Sequence, residues 1–366
     1  MRYKLLGKSG LRVSELSLGT MTFSDIWGWG ANRQESRKIF ETFAEAGGNF
    51  IDTANVYTNG ESEKLVGEFI AADRERFVVA SKYALSFQSG GDPNRAGSQR
   101  KNMIQSLEAS LKRLGTEYID LYYVHAWDFL TPVEEVMRGL DDLVRSGKVL
   151  YVGVSNAPAW VVAQANTLAE RYGWSPFVAL SAQYNLIERT AERELLPMAE
   201  TLDVAVTAWS PLAFGLLSGK YTRNSLEEAE KGRLDDEGFN SLGFIERSER
   251  NLSIARAAQQ IADEIGCSTP QVALAWLRAQ SKTLIPIISG RTASQIKDNL
   301  GCLDLELSVE HLRRLDEASR TPLGFPLDFL ASGSGIYQVY GGMLQVIDSD
   351  RHAPLLKAAR LNLGDQ

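Results

Sequence analysis

Residues 120–155 read DLYYVHAWDFLTPVEEVMRGLDDLVRSGKVLYVGVS and contain one strand–helix–strand unit. The runs at its two ends, DLYYVH and VLYVGVS, are short and mostly lack polar alternation, which is typical of strands buried on both faces. Between them an apolar stripe of helical spacing covers residues 133–146 and stops at Gly147. The stretch predicts two parallel strands joined by a helix.

The same unit recurs along the whole chain. Further runs of this kind are LSLGT, NFID and RFVVASK before residue 120, and VALSAQ, DVAVTAW and TLIPIIS after residue 155. Helical stripes over residues 99–114 and 251–265 end at Gly115 and Gly266. This alternation predicts an α/β fold, a (β/α)8 TIM barrel. A doubly wound sheet is the alternative, but LGTMTFSDIWGWGAN after the first strand lacks the G-x-G-x-x-G turn.

The predicted domain organisation is a single domain over residues 1–366. Residues 1–14 form an N-terminal β-hairpin, residues 15–302 the barrel, and residues 303–366 a C-terminal helix, SVEHLRRLDEASR, and tail. A long loop over residues 213–250 follows the seventh barrel strand. Loops and extensions of this length are usually either functional lids or disordered, and we expect both to act as lids.

Composition excludes several classes of protein. The hydrophobic fraction of 44% and the charged fraction of 23% suit a folded, core-rich protein. A net charge of −7 argues against nucleic acid as a partner. Two cysteines and three histidines leave no zinc-binding spacing and no disulfide framework. The start has no signal-peptide core and no run could span a bilayer, so we expect a cytoplasmic protein without membrane insertion.

Four polar residues stand at or just after strand ends, where barrel enzymes gather their active groups. Asp52, Lys82 and His125 end the second, third and fourth strands, and Tyr57 lies in the loop after the second. Each has a structural alternative: a capping carboxylate, a solvated lysine, a core histidine and a loop aromatic. Their joint placement favours an active site.

The chemistry of these four side chains is complementary. A lysine ammonium beside a phenol favours the phenolate and lowers a pKa that is ordinarily about 10. An aspartate paired with the lysine keeps it charged and in position. A neutral histidine can hydrogen-bond a substrate oxygen. The set is suited to protonating an alkoxide while a nicotinamide cofactor delivers hydride to a carbonyl.

Three motifs, IDTAxxY, VASKY and LYYVHxWD, resemble those of the aldo-keto reductase superfamily, and the resemblance covers residues 1 to about 320. It implies that Tyr57 is the general acid/base, that Lys82 and Asp52 tune it, and that His125 orients the carbonyl. We interpret the chain as a bacterial member. The stretch TAWSPLAFGLLSGKY is similar to the branch that includes the beta subunits of voltage-gated potassium channels.

The resemblance also implies a nicotinamide cofactor site. Ser155, Asn156 and Gln183 correspond to the carboxamide-binding residues, and Trp209 to the aromatic ring that stacks on the nicotinamide. Alternatively, Trp209 is a core residue and Gln295 a surface residue of the eighth helix. The full set of implied cofactor-binding residues is Gly19, Thr20, Met21, Asp52, Ser155, Asn156, Gln183, Trp209, Ser210, Leu212, Gly215, Lys220, Ser289, Gly290, Arg291, Gln295 and Asn299.

Arg291 bears most on the choice of cofactor. A guanidinium binds a phosphate through two hydrogen bonds, which favours the 2′-phosphate of NADPH. Backbone amides at the start of the eighth helix also favour an anion. Many NADP-preferring members carry arginine in place of Gln295 and lysine in place of Ser289, so NADH is the weaker alternative.

Aromatic residues predict the substrate-binding side of the barrel. They suit a hydrophobic or ring-shaped carbonyl compound or alcohol, although packing of the loops is an alternative role. The candidates are Trp27, Trp29, Tyr83, Phe87 and Trp127.

Two other functions compete with NADPH-dependent interconversion of carbonyl compounds and alcohols. One is a cofactor-binding regulatory subunit that resembles the potassium channel beta subunits. Because the chain begins almost directly at the hairpin, we expect no N-terminal inactivation segment. The other is a barrel aldolase in which Lys82 forms a Schiff base, which would not require Tyr57, Trp209 or Arg291.

Overall fold

The computed structural model describes residues 1–86, 91–220 and 246–348. Within them, an antiparallel hairpin precedes a closed barrel of eight parallel strands, in which each strand pairs with the next along the chain and the last pairs with the first. The hairpin strands are β1 (Tyr3–Leu5) and β2 (Arg12–Ser14). The barrel strands are β3 (Ser17–Gly19), β4 (Phe50–Asp52), β5 (Val78–Tyr83), β6 (Ile119–Val124), β7 (Val149–Ser155), β8 (Phe177–Gln183), β9 (Ala205–Trp209) and β10 (Leu284–Ile288).

Helices connect consecutive strands and surround the barrel. They are α1 (Arg33–Glu45), α2 (Glu61–Ile70), α3 (Arg100–Leu114), α4 (Val133–Arg145), α5 (Ala159–Tyr172), α6 (Leu195–Thr201), α7 (Glu249–Ile265), α8 (Thr269–Gln280), α9 (Ala293–Leu300), α10 (Val309–Ser319), α11 (Leu327–Ala331) and α12 (Gly333–Tyr340). As the stripes predict, α3 and α7 end at glycines in the left-handed conformation, Gly115 at φ 63° and Gly266 at φ 78°.

Alternation along each strand separates two apolar cores. In β5, Val78 and Ala80 point into the barrel, whereas Val79 and Tyr83 point outward to the helices. Lys82 lies two residues beyond Ala80, so its side chain also points into the barrel. The same alternation turns Asp52 on β4 and His125, directly after β6, toward the axis.

The hairpin closes the amino-terminal end of the barrel. Leu6 and Val13 pack in the interior core with Phe50 and other inward residues. Lys4 Nζ donates to the carbonyl oxygen of Leu284 at the start of β10, at 2.7 Å. Because the hairpin covers this end, the open end, or mouth, of the barrel is the one formed by the carboxyl ends of the strands.

The TIM barrel and the hairpin are confirmed. Most of the long loop after the seventh barrel strand, residues 221–245, and the tail beyond residue 348 lie outside the described residues, so their function as lids stays a prediction. The helix predicted after the barrel is α10, which packs on α7. It is held by Asp316 Oδ1, which accepts from Arg189 Nη1 and from Trp276 Nε1, both at 3.0 Å.

Candidate active site

Asp52, Tyr57 and Lys82 meet at the mouth of the barrel. Lys82 Nζ donates to Asp52 Oδ1 at 2.6 Å, to the carbonyl oxygen of Thr53 at 2.8 Å and to the phenol oxygen of Tyr57 at 3.3 Å. Both charged groups are buried, with side-chain exposures of 2% for Lys82 and 5% for Asp52. The ammonium is therefore fixed in direction and points at the phenol.

Burial and charge set the protonation states of this pair. Burial lowers the pKa of Lys82, but the opposing effects of Asp52 and then Tyr57 are together larger and raise it above its ordinary value. Burial likewise raises the pKa of Asp52, against the attraction of Lys82. A positively charged Lys82 is the form that these contacts stabilise.

His125 lies beside Tyr57. Their ring centroids are 5.8 Å apart and the rings are nearly perpendicular. Burial, and secondly the charge of Lys82, holds the pKa of His125 well below its ordinary value, so the imidazole is neutral near neutral pH. Within the described residues its Nδ1 atom has no hydrogen-bond partner.

The predicted carboxamide-binding residues end the neighbouring strands β7 and β8. Ser155 is buried, and the exposed Asn156 has a left-handed backbone at φ 49°. Asn156 Nδ2 donates to the carbonyl oxygen of His125 at 2.9 Å, so this amide also supports the loop after β6. Gln183 Nε2 is buried and lacks a hydrogen-bond partner in the part of the chain that the structure describes.

The residues after β9 follow a turn of unusual backbone conformation. Trp209 ends the strand, and its ring lies 6.3 Å from that of Phe214. Ser210 and Phe214 have φ of 51° and 55°, and Gly215 has φ 98°. Leu212 lies half-buried in the turn, and Lys220 is exposed at the edge of the described residues.

At the end of β3, Gly19 is buried and Met21 half-buried. The buried Thr20 hydroxyl donates to the carbonyl oxygen of Asp52 at 3.0 Å. It also lies 2.7 Å from the hydroxyl of Ser62. The Thr20 backbone is bonded within the protein as well, because its amide donates to the Asp52 carbonyl at 2.9 Å and its carbonyl accepts from Ser62 Oγ at 2.9 Å.

The loop before α9 is organised by its own side chains. Gln295 Oε1 accepts from the backbone amide of Arg291 at 2.7 Å, and Asn299 Nδ2 donates to the carbonyl oxygen of Ser289 at 3.2 Å. A Cβ on Gly290 would lie 3.0 Å from Gln295. The guanidinium of the half-buried Arg291 makes no hydrogen bond or ion pair with any described residue.

The aromatic substrate candidates lie in different environments. Trp27 and Trp29 pack with ring centroids 5.7 Å apart in the loop after β3, and Trp127 is buried after β6. Tyr83 is fully buried, stacks on Tyr122 at 5.2 Å and donates its hydroxyl to the Ser98 carbonyl. The prediction that Tyr83 contacts substrate is wrong, because this side chain faces the helix layer. Phe87 lies outside the described residues.

Tyr123 is an inward residue at the site that the sequence analysis missed. It is fully buried, its ring centroid is 6.0 Å from Lys82 Nζ, and its hydroxyl lies 3.2 Å from that of Thr207. The spacing of two in Leu121, Tyr123 and His125 would have identified it. Tyr123 therefore lines the interior of the barrel next to Lys82.

The described ranges contain neither a metal-binding cluster of side chains nor a membrane-spanning helix. No group of three or more His, Cys, Asp or Glu residues there is arranged to hold a metal ion. No helix there is both long and apolar enough to cross a membrane.

Comparison with known proteins gives consistent matches. The model of the aldo/keto reductase family matches residues 15–320. The aryl-alcohol dehydrogenase [NADP(+)] of Phanerodontia chrysosporium is 38% identical over 341 residues, which cover 89% of this chain and 87% of that protein. The norsolorinic acid reductase of Aspergillus flavus is 36% identical over 335 residues, 89% of this chain and 83% of that protein. The chain thus belongs to the aldo/keto reductase family and is an oxidoreductase.

Proposed function

We propose that the protein interconverts aldehydes or ketones with alcohols, using NADPH, and that Tyr57 exchanges the proton. The observation that carries the proposal is the position of Lys82 Nζ, 2.6 Å from Asp52 and 3.3 Å from the Tyr57 phenol oxygen. A buried ammonium beside a phenol stabilises the phenolate that remains when the proton leaves. Asp52 holds this ammonium in place.

Tyr57 and His125 share the substrate oxygen in this mechanism. During reduction Tyr57 donates its proton to the developing alkoxide, and during oxidation the phenolate takes the alcohol proton. The neutral His125 hydrogen-bonds the same oxygen and orients the carbonyl. The two rings lie edge to face with centroids 5.8 Å apart, which supports contact of both side chains with the same substrate oxygen.

The residues at the mouth fit a nicotinamide cofactor. Gln183 Nε2 supports this fit, because it is a buried donor that has no partner among the described residues. A carboxamide oxygen of the cofactor would accept its hydrogen bond. Ser155 and the oxygen of Asn156 would hold the same group, and Trp209 would pack on the ring. The bound cofactor supplies the hydride.

Arg291 supports NADPH over NADH. Its guanidinium makes no hydrogen bond or ion pair with any described residue. Arg291 lies between β10 and α9, and the backbone amides at the start of α9 also favour an anion. The name of the P. chrysosporium relative includes NADP(+), which agrees with this preference.

We also propose that the substrates are aromatic aldehydes and alcohols. Trp27 and Trp29 lie in the loop after β3, and the loop after β6 exposes 67% of Phe129 and 90% of Leu130. Both loops follow carboxyl strand ends, so these side chains supply apolar surface for a ring. The P. chrysosporium relative is named for aryl alcohols.

The contacts of Lys82 count against an aldolase. A Schiff base requires a neutral amine, but Asp52 and Tyr57 hold the pKa of Lys82 above its ordinary value. Its Nζ atom also donates to three acceptors. The nitrogen is therefore charged and is not nucleophilic.

A cofactor-absorbance assay tests the proposed function. Purified protein is offered aromatic and aliphatic aldehydes, ketones, sugars and alcohols with NADPH or NADH, alongside Tyr57→Phe. We expect the wild type to reduce aromatic aldehydes with NADPH. Tyr57→Phe should bind NADPH normally and turn over about 10²–10⁴-fold more slowly.

Wild-type turnover in Tyr57→Phe would exclude Tyr57 as the acid. Tight NADPH binding with no turnover of any substrate would instead favour a regulatory subunit. The resemblance to the potassium channel branch, the bacterial source and the cytoplasmic location stay predictions; the two relatives compared above are fungal.

A further inference from the structure

The turn directly after Tyr57 has a strained backbone. Thr58, Asn59 and Gly60 all have positive φ, at 46°, 57° and 91°. Glycine adopts this conformation readily, but a β-branched threonine rarely does. Thr58 is also 1% exposed. A buried, β-branched residue at this position requires compensating contacts.

The Thr58 hydroxyl supplies such contacts on both sides of the turn. It donates to the carbonyl oxygen of Phe23, in the loop after β3, at 3.1 Å. It also accepts from the backbone amide of Ser62 in the first turn of α2, at 3.0 Å. The N-cap residue Gly60 has no side chain for that amide, so Thr58 replaces the usual capping oxygen.

A second hydroxyl continues the network toward the site. Ser62 Oγ donates to the carbonyl oxygen of Thr20 at 2.9 Å and lies 2.9 Å from the hydroxyl of Thr53. The carbonyl of Thr53 in turn accepts from Lys82 Nζ at 2.8 Å. The buried hydroxyls therefore fix the backbone on either side of Asp52 and behind Tyr57.

We propose that Thr58 is a positioning residue for Tyr57. Its hydroxyl, held between the Phe23 carbonyl and the Ser62 amide, maintains the left-handed turn that directs the phenol at Lys82 Nζ. This inference rests on the proposed function, because it requires Tyr57 to exchange the proton. Proton transfer depends steeply on placement, and an error of about 1 Å can reduce the rate about 10²-fold.

Thr58→Val and Thr58→Ser test the hydroxyl, because valine keeps the shape without it and serine keeps the hydroxyl. We expect Thr58→Val to lower kcat about 10²-fold, with KM and the NADPH dissociation constant nearly unchanged, and to move the pH profile of kcat. Thr58→Ser should restore kcat to within about threefold of wild type. The matched control is Thr167→Val, which removes a hydroxyl that donates to the Ala163 carbonyl within α5 and should leave kcat unchanged.

If Thr58→Val does not fold, Thr58→Gly takes its place in the test. Glycine relieves the positive φ but lacks the hydroxyl, so we expect a folded protein with reduced kcat. Wild-type kcat and pH profile in Thr58→Val or in Thr58→Gly would overturn the inference. Tyr57→Phe is measured in parallel: if it loses turnover while the Thr58 variants keep theirs, only the positioning is wrong. If Tyr57→Phe keeps wild-type turnover, the proposed function fails, and this inference with it.

Discussion

Replacing Lys82 by methionine removes the charge that the mechanism depends on. Methionine keeps an unbranched apolar chain in the same buried space but cannot donate to Asp52, Thr53 or Tyr57. Lys82→Met therefore separates the electrostatic contribution of the ammonium from the packing of its alkyl chain.

The separation of the two atoms gives the magnitude. An ammonium and a phenolate oxygen 3.3 Å apart attract by about 5 kcal/mol at an effective dielectric constant of ~20. Water that replaces the ammonium recovers part of this energy, so we expect kcat for carbonyl reduction to fall about 10²–10³-fold, or roughly 2.7–4 kcal/mol. Removing Lys82 also leaves the Asp52 carboxylate buried without its partner, which costs roughly 3–5 kcal/mol of folding stability.

The assay measures kcat, KM, NADPH affinity and melting temperature for four proteins. Lys4→Met is the matched control, because Lys4 is half-buried and also donates to a carbonyl at 2.7 Å, but lies at the closed end of the barrel. The double variant Asp52→Asn/Lys82→Met should recover part of the stability and none of the rate. A kcat within about threefold of wild type in Lys82→Met, or an equal loss of activity in Lys4→Met, would refute a catalytic role for the Lys82 charge.

Two further predictions concern Arg291 and His125. Arg291→Ala should weaken NADPH binding about tenfold or more, roughly 1.4 kcal/mol, and leave NADH nearly unaffected, whereas Lys297→Ala on the exposed face of α9 should affect neither. Equal losses for both cofactors would contradict the 2′-phosphate assignment. For His125, the folded pKa lies well below the unfolded value of about 6.5, so its stabilisation is complete above that pH and is lost as the pH falls. Thermal melts from pH 7.5 to about 5 should show that His125→Asn loses up to about 1.4 kcal/mol less stability per pH unit than wild type, and identical pH dependence would count against a buried, neutral His125.

The fold follows from local patterns to a large extent. Apolar runs of strand length and stripes of helical spacing are properties of neighbouring residues, and glycines such as Gly115 and Gly266 mark helix ends because they adopt positive φ without steric cost. Boundaries agree within one or two residues, as in α3, which begins at Arg100 after Gln99 as its N-cap.

Tyr83 shows where the local pattern was misread. It follows Lys82 and was predicted to lie on the substrate-binding side of the barrel. In the structure β5 continues to Tyr83, and alternation turns adjacent residues to opposite faces of the sheet. The inward position of Lys82 already requires Tyr83 to point toward the helices.

The amino-acid sequence alone determined the order of strands and helices and which polar residues stand at strand ends, because both depend on local spacing. Only the tertiary structure decided that Lys82 Nζ lies within hydrogen-bond distance of Asp52 and Tyr57, residues 30 and 25 positions earlier. It also decided that the amide of Asn156 supports His125 and that Gln183 Nε2 is left without a partner in the described chain. These properties depend on the register between adjacent strands and on the closure of the barrel. Packing then determines which donors and acceptors meet and which remain for a ligand.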